Sequence, residues 1–230
     1  MPVSSEPWLN TPRSVSISNV TSGSVTVIVR RSECTPGSAS KYWDPDIASV
    51  AFHLMAHAIR TFGDPVLKTA AAEITDVDGK LVRLADEMVQ VMYDAPGIGL
   101  AAPQIGVQKQ LFVYDVGEGP HTLVNPTIAE SSGEWVYEEG CLSIPGLYVE
   151  MVRPKEVLLR GWDLDGNEVQ IEADDLLARL FQHELDHLHG VLMFDRMTPD
   201  QRKAAMKEYR RLRDEPPPAE PQRKRRLRLT

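Results

Sequence analysis

The chain has 230 residues, 25 Lys and Arg against 33 Asp and Glu for a formal net charge of −8, and a hydrophobic share of 42%. Such a composition suits a globular protein with a real core, and its acidic balance argues against a surface devoted to nucleic acid, sequence-specific or otherwise. No apolar run approaches the ~18 to 20 residues of a membrane span, and two widely separated cysteines, Cys34 and Cys141, make no disulfide framework and fit a reducing compartment.

Residues 1–54 are rich in Ser and Thr. They are expected to be a disordered extension or to lie upstream of a misassigned start, with Met55 opening the domain; a transit peptide and a small folded addition are the alternatives. Ser24 to Val29 alternates and is a strand candidate. No basic region precedes an apolar one, so a secretory signal is not expected. From about Met55 to Asp214 the pattern is mixed. Leu81, Leu84, Ala85, Met88, Val89 and Met92 recur at helical spacing, and Pro96-Gly97 should stop that helix. Strands are expected at Leu111 to Asp115, Thr122 to Ile128, Glu134 to Glu138 and Tyr148 to Val152. Two more, Glu156 to Trp162 and Asn167 to Glu172, flank Asp163-Leu164-Asp165-Gly166, which reads as a hairpin turn.

Leu176 to Leu188 is apolar nearly all round and reads as a buried helix, with Asp174 and Asp175 suited to its first turn and Gly190 to its end. A last helix opens at Thr198-Pro199-Asp200-Gln201, a capping-box pattern with Pro at the first helical position. Pro216-Pro217-Pro218 forbids its continuation. Residues 215–230 are expected to be a Pro-rich and then basic disordered tail, with Arg223, Lys224, Arg225, Arg226 and Arg228.

The sharpest local signal is His183-Glu184-Leu185-Asp186-His187. On a helix, positions i and i+4 share a face, so both imidazoles can meet one ion. Glu184 lies about 100° round from His183, where a carboxylate can take a proton from a water on the ion without binding the ion itself. His53, His57, His121 and His189 read as ordinary histidines. A third protein ligand is needed. A metzincin would place His at 193, and here Met193 stands, too poor a ligand for a hydrolytic zinc site. Glu208 and Glu215 lie beyond the break at Pro199. The better candidate is Cys141, in Glu138-Glu139-Gly140-Cys141-Leu142-Ser143, where Gly140 gives the backbone freedom to turn the thiol inward. In Gly97-Ile98-Gly99-Leu100-Ala101-Ala102-Pro103-Gln104 the small residues let backbone approach a ligand closely, and Gln104 offers an amide donor. Asp186 is expected to orient the site by pairing with Arg153.

Together, Gly97 to Gln104, Glu139 to Ser143 and Gln182 to His187 resemble the three signature motifs of the peptide deformylases, in the family's order. Ile59-Arg60 and Gly63-Asp64-Pro65-Val66-Leu67 resemble its usual beginning, so the likeness covers about residues 55–214. The resemblance implies an α+β fold, with β-sheets packed around a central buried helix carrying the HExxH motif. It implies removal of the formyl group from the N-terminal formyl-methionine of newly made bacterial or organellar polypeptides. Cys141, His183 and His187 would hold one divalent metal, Fe(II) in the cell with Zn(II) as the alternative. Glu184 would be the general base and acid, and Gln104 and the Leu142 backbone N–H would meet the oxyanion. Substrate would lie extended beside Gly97, Ile98 and Gly99.

The expected partners are N-formyl-methionyl nascent peptides and, transiently, a ribosome touched through the C-terminal helix and basic tail. The expected location is the cytoplasm of a bacterium, with an organelle as the less favoured alternative. Two alternatives stand beside this reading: an HExxH metallopeptidase, and a ribosome- or RNA-associated binding protein whose metal is structural.

Overall fold

The computed structural model describes residues 57–214 together with two strand segments, Ser16–Ser18 (β1) and Ser24–Ile28 (β2). The strand expected from Ser24 to Val29 is β2. The rest of the expected N-terminal extension, Cys34, His53, Met55, the Pro216–Pro218 stretch and the basic tail lie outside the described residues.

The remaining elements follow in chain order: helix α1 Gly79–Asp94, then β3 Gly99–Ala101, β4 Leu111–Tyr114, β5 His121–Ser132, β6 Trp135–Cys141, β7 Ile144–Arg153, β8 Glu156–Trp162 and β9 Glu168–Asp174, and finally helices α2 Asp175–Leu188, α3 Met193–Arg196 and α4 Pro199–Asp214. Seven strands form one sheet in the order β1-β2-β9-β8-β5-β4-β3, and β6 and β7 form a separate antiparallel pair. Among the described strands only β2 and β9 pair in parallel. The architecture is mixed α and β. No described helix is long and apolar enough to cross a membrane.

Local chemistry sets the element ends. Asp78 caps α1 by accepting from Lys80 N (3.0 Å) and Leu81 N (2.9 Å). At α4 the capping box is reciprocal: Thr198 N donates to Gln201 Oε1 (3.1 Å), and Gln201 N to Thr198 Oγ1 (3.3 Å). The β8–β9 turn is held by Asp163 Oδ1, which accepts from Asp165 N and Asn167 N at 2.9 and 2.8 Å, with Gly166 at φ +80°.

Alternation along β4 separates two cores. Phe112 and Tyr114 face Phe181, Leu185 and Leu188 of α2, whereas Leu111 and Val113 face Leu81, Ala85, Met88 and Met92 of α1. Fully burying a side chain such as Phe112 or Phe181 stabilises the fold by roughly 1.5–3 kcal/mol each. A third cluster packs Ile144, Leu147 and Met151 of β7 against Met193, Phe194, Ala205 and Tyr209 of α3 and α4. Helix α2 is buried as expected, but for a different reason than an all-round apolar surface. Arg179, Gln182, Glu184, Asp186 and His187 are buried with its leucines, and polar groups in that position need partners.

Candidate active site

Three elements converge on one point: the end of β6, the second half of α2, and the segment from β3 into the short 3-10 turn Ala102–Ile105. One turn of α2 brings His183 Nε2 and His187 Nε2 to 3.2 Å, and Cys141 Sγ lies 3.2 Å from His187 Nε2. The three donor atoms all fall within 4.8 Å of one another. Ligand nitrogens ~2.0–2.1 Å from a tetrahedral ion lie about 3.3 Å apart, so the imidazole spacing fits a shared ion. Two nitrogen lone pairs at that separation repel unless a cation or proton lies between them.

The histidine tautomer follows from a carboxylate. Glu139 Oε1 is 2.7 Å from His183 Nδ1, and an ionised carboxylate only accepts. Nδ1 therefore carries the hydrogen, and the Nε2 lone pair points into the cluster. Burial pushes the Glu139 carboxyl up, but hydrogen bonds from Arg153 and His183 more than offset it and hold it well below the usual carboxylate range. Among the described residues His187 has no such partner at its buried Nδ1.

Glu184 is 4% exposed, and its Oε2 has no hydrogen-bond partner among the described residues. Burial raises its pKa to about 7. A carboxyl poised there can both take and return a proton near neutral pH. Gln104 is 1% exposed; its Oε1 accepts from Ala101 N (2.8 Å), which aims Nε2 at Ser143 Oγ (3.2 Å) and Cys141 Sγ (3.9 Å).

Protein neighbours crowd the glycines. A Cβ on Gly97 would lie 2.7 Å from Leu142 Cδ1, and one on Gly99 would press on Glu184 Oε1, 3.1 Å from its Cδ. Gly140 corrects the expectation made for it. Its φ is not in the left-handed region. The Tyr148 ring covers it instead, 2.6 Å from where a Cβ would stand, just before the register shift that precedes Cys141. Ile98 is exposed beside them.

Arg153 does pair with Asp186, Nη1 to Oδ2 at 2.9 Å. Sequence reasoning missed the rest of that network. Arg153 also holds Glu139 with Nε (2.7 Å) and Nη2 (2.6 Å), and Arg179 Nη1 reaches Glu139 Oε2 at 3.0 Å. The available signal was the charged residues of both signs, Glu139, Arg153, Arg179 and Asp186, set among the apolar positions of β6, β7 and α2. Of the other histidines, His121 stacks on Tyr114, His57 lies near Glu87, and His189 caps α2. Met193 is buried in the third cluster, and Glu208 pairs with Arg211 on α4.

The family model for polypeptide deformylase matches residues 56–203. This chain belongs to the peptide deformylase family. The peptide deformylase of Acidothermus cellulolyticus is 50% identical over 152 residues, which is 66% of this chain and 84% of that one. The peptide deformylase of Clostridium botulinum is 48% identical over 140 residues, 61% of this chain and 95% of that one. Among solved structures, a peptide deformylase from Legionella pneumophila superposes with a TM-score of 0.64 at 37% identity, covering 70% of this chain and all of the other. One from Synechococcus elongatus in complex with actinonin gives 0.63 at 40% identity, covering 66% and 86%. These likenesses do not favour the metallopeptidase or binding-protein alternatives.

Proposed function

We propose that Cys141, His183 and His187 hold one divalent metal ion, beside which Glu184 moves the protons of amide hydrolysis. The chain is a peptide deformylase, a metal-dependent hydrolase that removes the formyl group from the N-terminal formyl-methionine of nascent polypeptides. The residue assignment rests above all on the convergence of one thiolate and two imidazole donors beside a buried carboxyl that has an unpartnered oxygen.

Once bound, the ion supplies Lewis-acid chemistry, polarising the formyl carbonyl and bringing the pKa of a water to roughly 7. Glu184 accepts the proton of the attacking water and delivers it to the departing amine. Gln104 Nε2 and the Leu142 N–H donate to the oxygen on which charge develops. Both carbonyl and amide of the extended substrate pair with backbone beside Gly97, Ile98 and Gly99. A formyl carbon bears only hydrogen, so a tight pocket admits it and rejects longer acyl groups. A set of one Cys and two His suits Zn(II); we assign Fe(II) in the cell on the family resemblance.

In this reading residues 55–214 are the catalytic unit, with α2 as the central helix about which the sheets pack. Residues 1–54 and 215–230 are appendages. The basic run Arg223 to Arg228 and α4 make a transient ribosome contact, and deletion of residues 216–230 should weaken cosedimentation with ribosomes at low salt.

The test of the catalytic assignment is formate release from formyl-Met-Ala-Ser by protein purified anaerobically, with metal quantified on the same sample. Wild type should release formate with about one ion per chain. Glu184→Gln should keep the ion and lose on the order of 10²- to 10⁴-fold in rate. A fully metallated, folded wild type that releases no formate would sink the assignment.

A further inference from the structure

The carboxylate that holds His183 is itself held. Arg153 spends two donors on Glu139 and one on Asp186. Asp186 in turn accepts from Arg196 of α3, at Oδ2 from Nε (3.2 Å) and at Oδ1 from Nη2. The side chains of Glu139, Arg153 and Asp186 are 4–7% exposed, whereas that of Arg196 is 55% exposed. A line of alternating charges, Arg196–Asp186–Arg153–Glu139–His183, therefore runs from the protein surface behind α2 to a candidate metal ligand. Its outer half borders a cavity of about 290 Å³ lined also by Ile128, Val152, Gln182, Leu185 and His189. Packed atoms thus do not clamp the outer links on that side. The line serves one imidazole, because His187 Nδ1 has no hydrogen-bond partner among the described residues.

We propose that Arg196 is a positioning residue for the metal, acting through Asp186, Arg153 and Glu139 on His183 to set how firmly the ion is held. The inference rests on the metal-site reading above. One guanidinium, that of Arg153, is divided between two carboxylates. While Arg196 satisfies Asp186, Arg153 stays square on Glu139. Without Arg196, Asp186 keeps Arg153 as its one cationic partner among the described residues and draws it closer. The guanidinium is a rigid plane, so a shift at Nη1 tilts the pair of bonds from Nε and Nη2. Glu139 then holds the His183 ring less firmly, and an ion bound at Nε2 leaves sooner. Arg179 keeps its own bond to Glu139, so the ligand is loosened and not lost. Removing an immediate outer partner of a ligand costs ~10–100-fold in metal affinity; an effect relayed through three more groups should be smaller.

The test compares wild type, Arg196→Gln and Arg196→Lys, each loaded with Co(II). The readouts are first-order ion release to excess chelator, the Co(II) absorption spectrum and Tm. Arg196→Gln should release the ion roughly 3- to 10-fold faster with an altered spectrum. Arg196→Lys, which keeps a cation beside Asp186, should stay within about twofold of wild type. A merely structural ion pair would lower Tm and leave release unchanged. Wild-type release rates in Arg196→Gln, with one ion bound per chain, would overturn this inference alone. Failure of the wild type to bind an ion would overturn it together with the metal site.

Discussion

Replacing Gly99 with alanine should disable Glu184 while leaving the backbone undisturbed. Gly99 is buried, and its φ is outside the left-handed region, so alanine is conformationally acceptable there. The added methyl would press on Glu184 Oε1 and lie 3.1 Å from Cδ and 3.3 Å from Cγ. Carbon contacts are ordinarily ~3.5–4.0 Å, so the carboxyl must retreat by roughly 1 Å. At 4% exposure it cannot swing into solvent. A displacement of that size in a reacting group costs on the order of 100-fold in rate, or about 2.7 kcal/mol of barrier. Overpacking should cost ~1–3 kcal/mol of stability, a fall in Tm of roughly 2–12 °C for a domain of this size. The assay is kcat/KM for formate release, with metal content and Tm on the same preparation. Glu184→Asp withdraws the carboxyl by one methylene and should relieve the collision. The double variant should therefore be less impaired than the product of the single effects. Activity of Gly99→Ala within threefold of wild type, or strict additivity in the double variant, would refute the reasoning.

Three further outcomes follow from other contacts. Glu139→Gln leaves Arg153 and Arg179 buried beside a neutral amide; it should lower stability by ~3–5 kcal/mol in denaturant melts, and ion affinity in chelator competition by ~10–100-fold. Gly190→Ala forces a left-handed conformation at φ +71° and puts a Cβ 2.8 Å from the Lys68 carbonyl carbon. The left-handed strain alone costs ~1–2 kcal/mol, so the urea midpoint should fall with m unchanged. Stripping the ion should lower Tm by roughly 5–11 °C relative to protein held at ~100 times its Kd, where binding contributes about 2.7 kcal/mol. Re-addition should restore it, and an unchanged Tm would count against a shared ion between His183 and His187.

What was legible in the sequence was what neighbours in the chain decide. The spacing of Leu81, Ala85, Met88 and Met92 foretold the buried face of α1. Glu156–Trp162 coincides with β8, and the Asp163 turn and the Thr198–Gln201 cap formed from side chains two to four residues from the groups they satisfy. The two-histidine face of α2 is the same kind of fact, since a helix repeats every 3.6 residues whatever surrounds it. Strand ends were less legible: β6 and β7 each run further than their apolar alternation, to Cys141 and from Ile144, because cross-strand pairing continues past the patterned residues.

Tertiary structure decided who holds the site together. Glu139 meets Arg153 14 residues away, Arg179 40 away and His183 44 away, and none of these separations is a period of helix or strand. The same holds for Gly99 and Glu184, and for Tyr148 over Gly140, where backbone freedom was the local reading and close packing the actual reason. Composition, caps and periodic faces are encoded over a few residues and can be read there. Which buried charge answers which, and where only hydrogen fits, depends on surfaces that do not exist until the sheets and α2 have packed.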